Sequence, residues 1–161
     1  MSKRVLVAGV GNIFLGDDAF GVEVARALSR RQLPEGASVK DFGIRGFDLA
    51  YALMESHDLT ILVDACARGL EPGTVFLLEP DPVGEGQQSV DLHGMNPMNV
   101  LRMVKSLGGT PGRIVIVGCE PMGCEPDGKL GLSQPVEAAV DEAIDLIESL
   151  VSKVLIGEPV I

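Results

Sequence analysis

The chain is poor in aromatic residues, cysteine and positive charge. It has no tryptophan, one tyrosine and five phenylalanines, so aliphatic side chains must supply the core. Its three cysteines, Cys66, Cys119 and Cys124, lack paired spacing, which argues against a disulfide framework and predicts reduced, buried thiols. Thirteen basic residues stand against twenty-three acidic ones, and a net charge of -10 argues against nucleic acid or an anionic membrane surface as a partner.

Long apolar runs are also missing. No window approaches the roughly 20 apolar residues that a membrane span needs, so we expect no membrane contact. The start, Met1-Ser2-Lys3-Arg4, enters a strand without a small-residue cleavage site, which predicts no signal peptide. The three unpaired cysteines favour a cytoplasmic location. A length of 161 residues predicts a single domain over 1–161. The lack of an exposed apolar heptad repeat argues against coiled-coil assembly, so a monomer is favoured, although the sequence leaves the oligomeric state open.

Short apolar runs alternate with segments of helical periodicity. The predicted strands are Arg4–Val10, Ala37–Phe42, Asp58–Asp64, Thr74–Leu78 and Arg113–Val117. The predicted helices run from about Asp17 to Arg31, from Phe47 to Glu55, from Pro97 to about Leu107, and from Pro135 to about Leu155. This order predicts a three-layer α/β/α sandwich, with helices on both faces of a mainly parallel five-stranded sheet. The short connection before the fourth strand allows that strand to pair antiparallel at an edge.

Two local features of these elements bear on function. In the second helix, one face is predicted to carry Phe47, Ala50, Tyr51 and Met54. The segment from Glu79 to Asp91 has no periodicity, and a loop of this length inside a domain is usually functional or mobile. It leads to His93, just before the third helix.

A glycine-rich turn follows the first strand. Gly9 and Gly11 imitate the start of a dinucleotide-binding fingerprint, but its third glycine would fall at Phe14. Asp17 and Asp18 place negative charge where a phosphate needs bare N–H groups. These residues argue against a nucleotide site, and we expect no thermal stabilisation by NAD or ATP.

Two adjacent acids at the start of a helix cannot both cap it. Aspartate is favoured at the N-cap, which accounts for Asp17. Asp18 is then able to face the crevice at the carboxyl edge of the sheet, where open α/β sheets bind ligands. A carboxylate at a helix N-terminus stays ionised near neutral pH, so it suits a metal ion.

Three groups from separate loops are predicted to converge on this edge. Asp18 follows the first strand, Asp64 ends the third, and His93 precedes the helix that leads to the fifth. Two carboxylates and an imidazole form a reasonable ligand set with open positions for water or substrate. The spacing is equally compatible with an Asp64 that caps a turn and a solvated His93.

Several segments together resemble the hydrogenase maturation endopeptidases. They are, in chain order, Gly9-Val10-Gly11-Asn12 with Asp17-Asp18, Val63-Asp64-Ala65, Leu92-His93-Gly94-Met95, Gly118-Cys119-Glu120-Pro121, and Gly131-Leu132-Ser133-Gln134-Pro135-Val136. The resemblance covers nearly the whole chain. Proteases of this family remove a C-terminal extension from the large subunit of a nickel–iron hydrogenase after nickel has been inserted. The resemblance therefore implies a large-subunit precursor as the partner.

The resemblance also implies roles for particular residues. It places the metal-binding and catalytic positions of a metal-dependent, aspartic-type endopeptidase on Asp18, Asp64 and His93. The ion is expected to be the substrate's own nickel, although another divalent metal would suit the same ligands. Gly43 and Arg45 lie in a turn that resembles the family's second glycine turn, so they are predicted to contact the substrate's tail. The alternative is a non-catalytic module that uses the same ligands to hold a metal or a metalloprotein.

Overall fold

The structure is a computed structural model that describes residues 2–80, 97–123 and 131–160. Its strands are β1 (Val5–Val10), β2 (Ala37–Gly43), β3 (Leu59–Ala65), β4 (Val75–Leu78) and β5 (Ile114–Cys119). Its helices are α1 (Phe20–Ser29), α2 (Gly46–Leu53), α3 (Pro97–Ser106) and α4 (Gln134–Leu155), and a 3₁₀ turn over Gly16–Ala19 precedes α1. Every predicted strand and helix is present, with ends that shift by a few residues.

The strands form one sheet in the order β2-β1-β3-β5-β4. β1 pairs in parallel with β2 and β3, and β3 pairs in parallel with β5. β4 pairs antiparallel with β5 at the edge of the sheet. The predicted mainly parallel sheet with an antiparallel edge strand is confirmed.

Alternate residues along the strands point into two separate cores. In β1, Val5 and Val7 join the core under α1 and α4, whereas Leu6 and Ala8 join the core under α2 and α3. The central strands are therefore buried on both faces, which is why their sequences are continuous apolar runs. The predicted three-layer α/β/α sandwich is confirmed.

The predicted apolar face of α2 is divided, because Ala50 is buried and Met54 packs on the core under α2 and α3, whereas its two aromatic residues face outward. The side chains that it buries are Leu49, Ala50 and Leu53. Phe47 and Tyr51, which share the predicted apolar face, are exposed. Two apolar stripes overlap on this short helix, and the leucine stripe packs on the sheet while the aromatic stripe faces outward.

The longest described helix, α4, is amphipathic. Its buried stripe includes Val136, Ala143, Ile147 and Leu150, which pack on the same core as α1. Within the described ranges, no helix is both long and apolar enough to cross a membrane.

The direction in which strands are added to the sheet reverses between β1 and β3. The chain places β2 on one side of β1, and it then places β3, with β5 and β4 beyond it, on the other side. In open α/β sheets, ligands bind in the crevice that forms outside the carboxyl ends of the strands at such a point. The carboxyl ends of β1 and β3 are therefore the place to look for a site.

Candidate active site

Asp18 lies in the turn that leaves β1, and this turn holds its carboxylate. The N–H of Asn12 donates to Asp18 Oδ2 at 2.7 Å, and the N–H of Phe14 donates to Asn12 Oδ1 at 2.9 Å. A Cβ on Gly11 would stand 1.9 Å from the Asp18 carbonyl oxygen, so the close approach of the two backbones requires glycine. The Asp18 carboxylate is thus buried and folded back over its own turn.

The prediction that Asp17 caps the first helix is wrong. The N-cap residues of the 3₁₀ turn and of α1 are Leu15 and Ala19, and neither makes a side-chain capping hydrogen bond. The Asp17 side chain, in a residue only 1% exposed, faces the connection between β5 and α4 instead. Its Oδ2 accepts the N–H groups of Met122 at 2.7 Å and Gly123 at 3.1 Å. Ser133 donates its N–H to Oδ1 at 2.6 Å and its hydroxyl to Oδ2 at 2.8 Å.

Asp64 lies near the carboxyl end of β3, opposite Gly118 of β5, and is buried. The 3₁₀ turn that carries Asp18 contacts β3. Gly21, in the first turn of α1, packs so closely on the strand that a Cβ there would stand 2.0 Å from the Val63 carbonyl oxygen. Asp18 and Asp64 therefore lie at the same edge of the sheet, beside the reversal of strand order. Neither residue is without an interaction partner.

His93, the third predicted ligand, lies outside the described residues, as does most of the predicted loop from Glu79 to Asp91. In 2–80, 97–123 and 131–160, no group of three or more His, Cys, Asp or Glu side chains could hold a metal ion. The structure thus brings together the turns of Asp18 and Asp64, and the full set of three ligands stays a prediction. Carboxylate oxygens from separate loops are suitable donors for a divalent ion that also accepts an imidazole.

The turn after β2 stands directly beside the Asp18 turn. The N–H of Gly11 donates to the Gly43 carbonyl at 2.9 Å, and Gly43 has a φ of +55°, a region that favours glycine. The Arg45 guanidinium folds back on its own turn and donates to the carbonyls of Asp41 and Phe42. It remains about half exposed. Gly43 and Arg45 are therefore close to the candidate site, and their contact with a substrate stays a prediction.

Glu120 is a buried carboxylate that has no counterpart among the predicted site residues. It follows β5 directly, and its Oε1 accepts the N–H groups of Arg68 at 2.7 Å and Leu70 at 3.1 Å. It thereby holds the loop that leaves β3 just after Asp64. The sequence contains a signal for Glu120, because it is an acidic residue at the end of an apolar strand, which is the same feature by which Asp64 was identified.

The described cysteines match the expectation of structural thiols. Cys119 is buried and Cys66 is partly buried, and within the described residues neither forms a disulfide. Burial raises the pKa of Cys119 to about 12, and the nearby Asp17 carboxylate adds to this effect. A buried thiol with a raised pKa stays protonated near neutral pH, so Cys119 is poorly suited to act as a nucleophile. Cys124 lies outside the described residues.

Large apolar side chains are exposed on the turns around Asp18 and at the start of α2. Those that we group as the apolar rim are Phe14 (67% exposed), Ile44 (56%), Phe47 (63%) and Met122 (64%). They follow β1, β2 and β5, and the hydrogen bonds from Gly11 to Gly43 and from Met122 to Asp17 tie these turns together. Single exposed apolar residues are ordinary, but several on adjoining turns indicate an interaction surface.

The sequence and the fold both resemble proteins of one kind. A family model described as hydrogenase maturation protease matches residues 22–150. A putative hydrogenase maturation protease of Methanocaldococcus jannaschii is 36% identical over 159 residues, which cover 94% of this chain and 98% of the relative. The hydrogenase 2 maturation protease of Escherichia coli is 33% identical over 147 residues, which cover 89% of this chain and 88% of the relative. The solved structure of the hydrogenase maturating endopeptidase HybD from E. coli has a TM-score of 0.76 and 32% identity, and the match covers 93% of this chain and 91% of that one.

Proposed function

The chain belongs to the hydrogenase maturation protease family, and on that premise we propose that it removes the C-terminal extension of a nickel–iron hydrogenase large subunit after nickel insertion. The observation that carries the proposal is the placement of two buried acids at one edge of the sheet, Asp18 in the 3₁₀ turn before α1 and Asp64 near the end of β3. In this proposal His93 completes the set, and the three side chains recognise the nickel that the substrate brings.

The roles of the acids follow from their positions. Nickel held by carboxylates and an imidazole supplies Lewis acidity toward a peptide carbonyl or a water molecule. Asp64 is fixed at the end of a strand that is buried on both faces, so its carboxylate has the rigidity that a ligand or a general base needs. Asp18 is held by the N–H of Asn12 and supplies the second carboxylate.

The proposal is tested by mixing the protein with candidate large-subunit precursors, each prepared with and without nickel. Intact-mass spectrometry should show the loss of a C-terminal peptide from the nickel-loaded precursor alone. Equal cleavage of the nickel-free precursor would contradict recognition through nickel. A stable complex without any loss of mass would favour the non-catalytic module instead.

The protein must also bind parts of the precursor that lie away from the scissile peptide bond, and the apolar rim is a suitable surface for this contact. Phe47 stands at the start of α2, beside the turn of Gly43 and Arg45, and is 63% exposed. We expect Phe47→Asp to raise KM for the precursor by about tenfold, which is about 1.4 kcal/mol of binding, because the loss of an apolar anchor costs more than about 1 kcal/mol. Steady-state cleavage kinetics should show kcat unchanged.

Ile156 offers a matched control for Phe47. It is 69% exposed, but it follows α4 next to Gly157, which neighbours Lys3 and Asp58 before β1 and β3. This is the opposite edge of the sheet from the candidate site. Ile156→Asp should leave both KM and kcat unchanged. An equal rise in KM for the two variants would mean that the apolar rim has no special role in binding.

A further inference from the structure

The carboxylate of Asp17 joins two parts of the chain that are far apart in sequence. It accepts hydrogen bonds from Met122, Gly123 and Ser133, and the partners lie 105 to 116 residues away. We propose that Asp17 is a positioning residue that fixes the neighbouring Asp18 by tying its turn to the connection between β5 and α4.

The backbone reinforces the contact made by the side chain. The N–H of Asp17 donates to the Gly123 carbonyl at 3.0 Å. At Gly16, a Cβ would stand 2.8 Å from that same carbonyl oxygen, so the two backbones touch here as well. Bonds from N–H groups to an ionised carboxylate are roughly twice as strong as neutral ones. The 3₁₀ turn is thus clamped onto the β5–α4 connection by both its backbone and a buried charge.

The contacts of Asp17 affect Asp18 directly, because Asp18 is the next residue of the same turn. The N–H of Asp18 donates to the Leu15 carbonyl at 3.1 Å within this turn. A 3₁₀ turn of four residues has few internal hydrogen bonds and weaker geometry than an α-helix, so its orientation depends on its anchors. When the anchor at Asp17 is lost, we expect the turn to shift and to carry the Asp18 carboxylate away from the N–H of Asn12.

The Asn12 N–H therefore reports on the position of Asp18 without any assay of activity. Its hydrogen bond to Asp18 Oδ2 is 2.7 Å long, and Asn12 makes no contact with Asp17 among the described hydrogen bonds. In ¹⁵N-labelled protein, we expect Asp17→Ala to move the Asn12 amide resonance and to speed its hydrogen exchange. If Asp17→Ala does not fold, Asp17→Asn serves instead, because it keeps one acceptor oxygen and should give a smaller shift in the same direction.

Glu120 provides the matched control, since it is another buried carboxylate that accepts two backbone N–H groups. Its partners, Arg68 and Leu70, lie in the loop after β3 and not in the Asp18 turn. Glu120→Ala should lower the melting temperature but leave the Asn12 amide resonance in place. An unmoved Asn12 resonance in the Asp17 variants, with only a lower melting temperature, would overturn the positioning role.

The effect on catalysis rests on the proposed function. There we expect Asp17→Ala to lower kcat per folded molecule by at least about tenfold, with KM for the precursor unchanged, because a displacement of about 1 Å at a reacting group costs up to about 100-fold. A folded Asp17→Ala with wild-type kcat would also overturn the positioning role. If the wild-type protein cleaves no precursor, the proposed function fails, whereas the Asn12 resonance still decides the role of Asp17.

Discussion

Asp64→Asn is expected to slow precursor cleavage by about 100-fold or more, the usual contribution of a positioned acid or base. Asparagine keeps the shape of the side chain but is a poor metal ligand and accepts no proton at neutral pH. The fold should tolerate the change, because an ionised carboxylate is costly to bury near the end of a strand. We therefore expect the melting temperature to stay the same or rise. A melting curve and a cleavage time course on the same preparation measure both effects.

Asp58 is a suitable control for Asp64, because it lies just before β3, at the opposite end of the same strand, and is exposed. Asp58→Asn should leave the cleavage rate unchanged.

The other two predicted ligands should behave as Asp64 does. Asp18→Asn should lose activity, and His93→Ala should lose activity with a change in the free energy of unfolding within about 0.5 kcal/mol. Wild-type rates in all three of these site variants would eliminate the proposed mechanism. A wild-type rate in Asp18→Asn together with an inactive Asp17→Asn would exchange the roles of the two acids.

The fold was predictable because the sheet leaves a strong mark on the sequence. β1, β3 and β5 are buried on both faces, so their apolar runs are continuous and hard to confuse with loops. The antiparallel edge strand β4 follows from the short connection after β3, which has no room for a crossover helix. The face of α2 was not predictable in the same way. Phe47 and Tyr51 form an apolar stripe as regular as the leucine stripe, and only packing on the sheet and α3 decides between them.

The candidate site was predictable where its residues mark the ends of strands. Asp64 stands out because a charge ends an apolar run, and Asp18 stands out as the second of two adjacent acids where a helix was predicted to begin. Parallel strands bring their carboxyl ends to one edge, which places both residues there. The role of Asp17 was not predictable, because its partner Ser133 lies 116 residues away and no local pattern records that contact. Because aspartate is favoured at a helix N-cap, the local sequence predicts a capping role for Asp17. In the structure Asp17 lies inside the 3₁₀ turn before α1 and so does not occupy an N-cap position.

Gly21→Ala is expected to destabilise the protein by at least about 3 kcal/mol, the upper end of the usual cost of overpacking. A Cβ at Gly21 would stand 2.0 Å from the Val63 carbonyl oxygen and 2.4 Å from that of Val10. Both atoms belong to strand backbones, so neither can move aside as a flexible side chain would. For a chain of this size the melting temperature should fall by about 6–12 °C.

Helix propensity alone predicts the opposite sign for Gly21→Ala, because alanine in a helix interior is favoured over glycine by about 1 kcal/mol. A loss of stability would therefore show that contact with the strands outweighs propensity at this position. Gly123→Ala is the matched control, since no atom lies within 4 Å of its added Cβ, and its stability should change by less than about 0.5 kcal/mol. Wild-type stability of Gly21→Ala would mean that α1 does not pack this closely on β1 and β3. In that case the close approach of the Asp18 turn to Asp64, on which the candidate site depends, would fail with it.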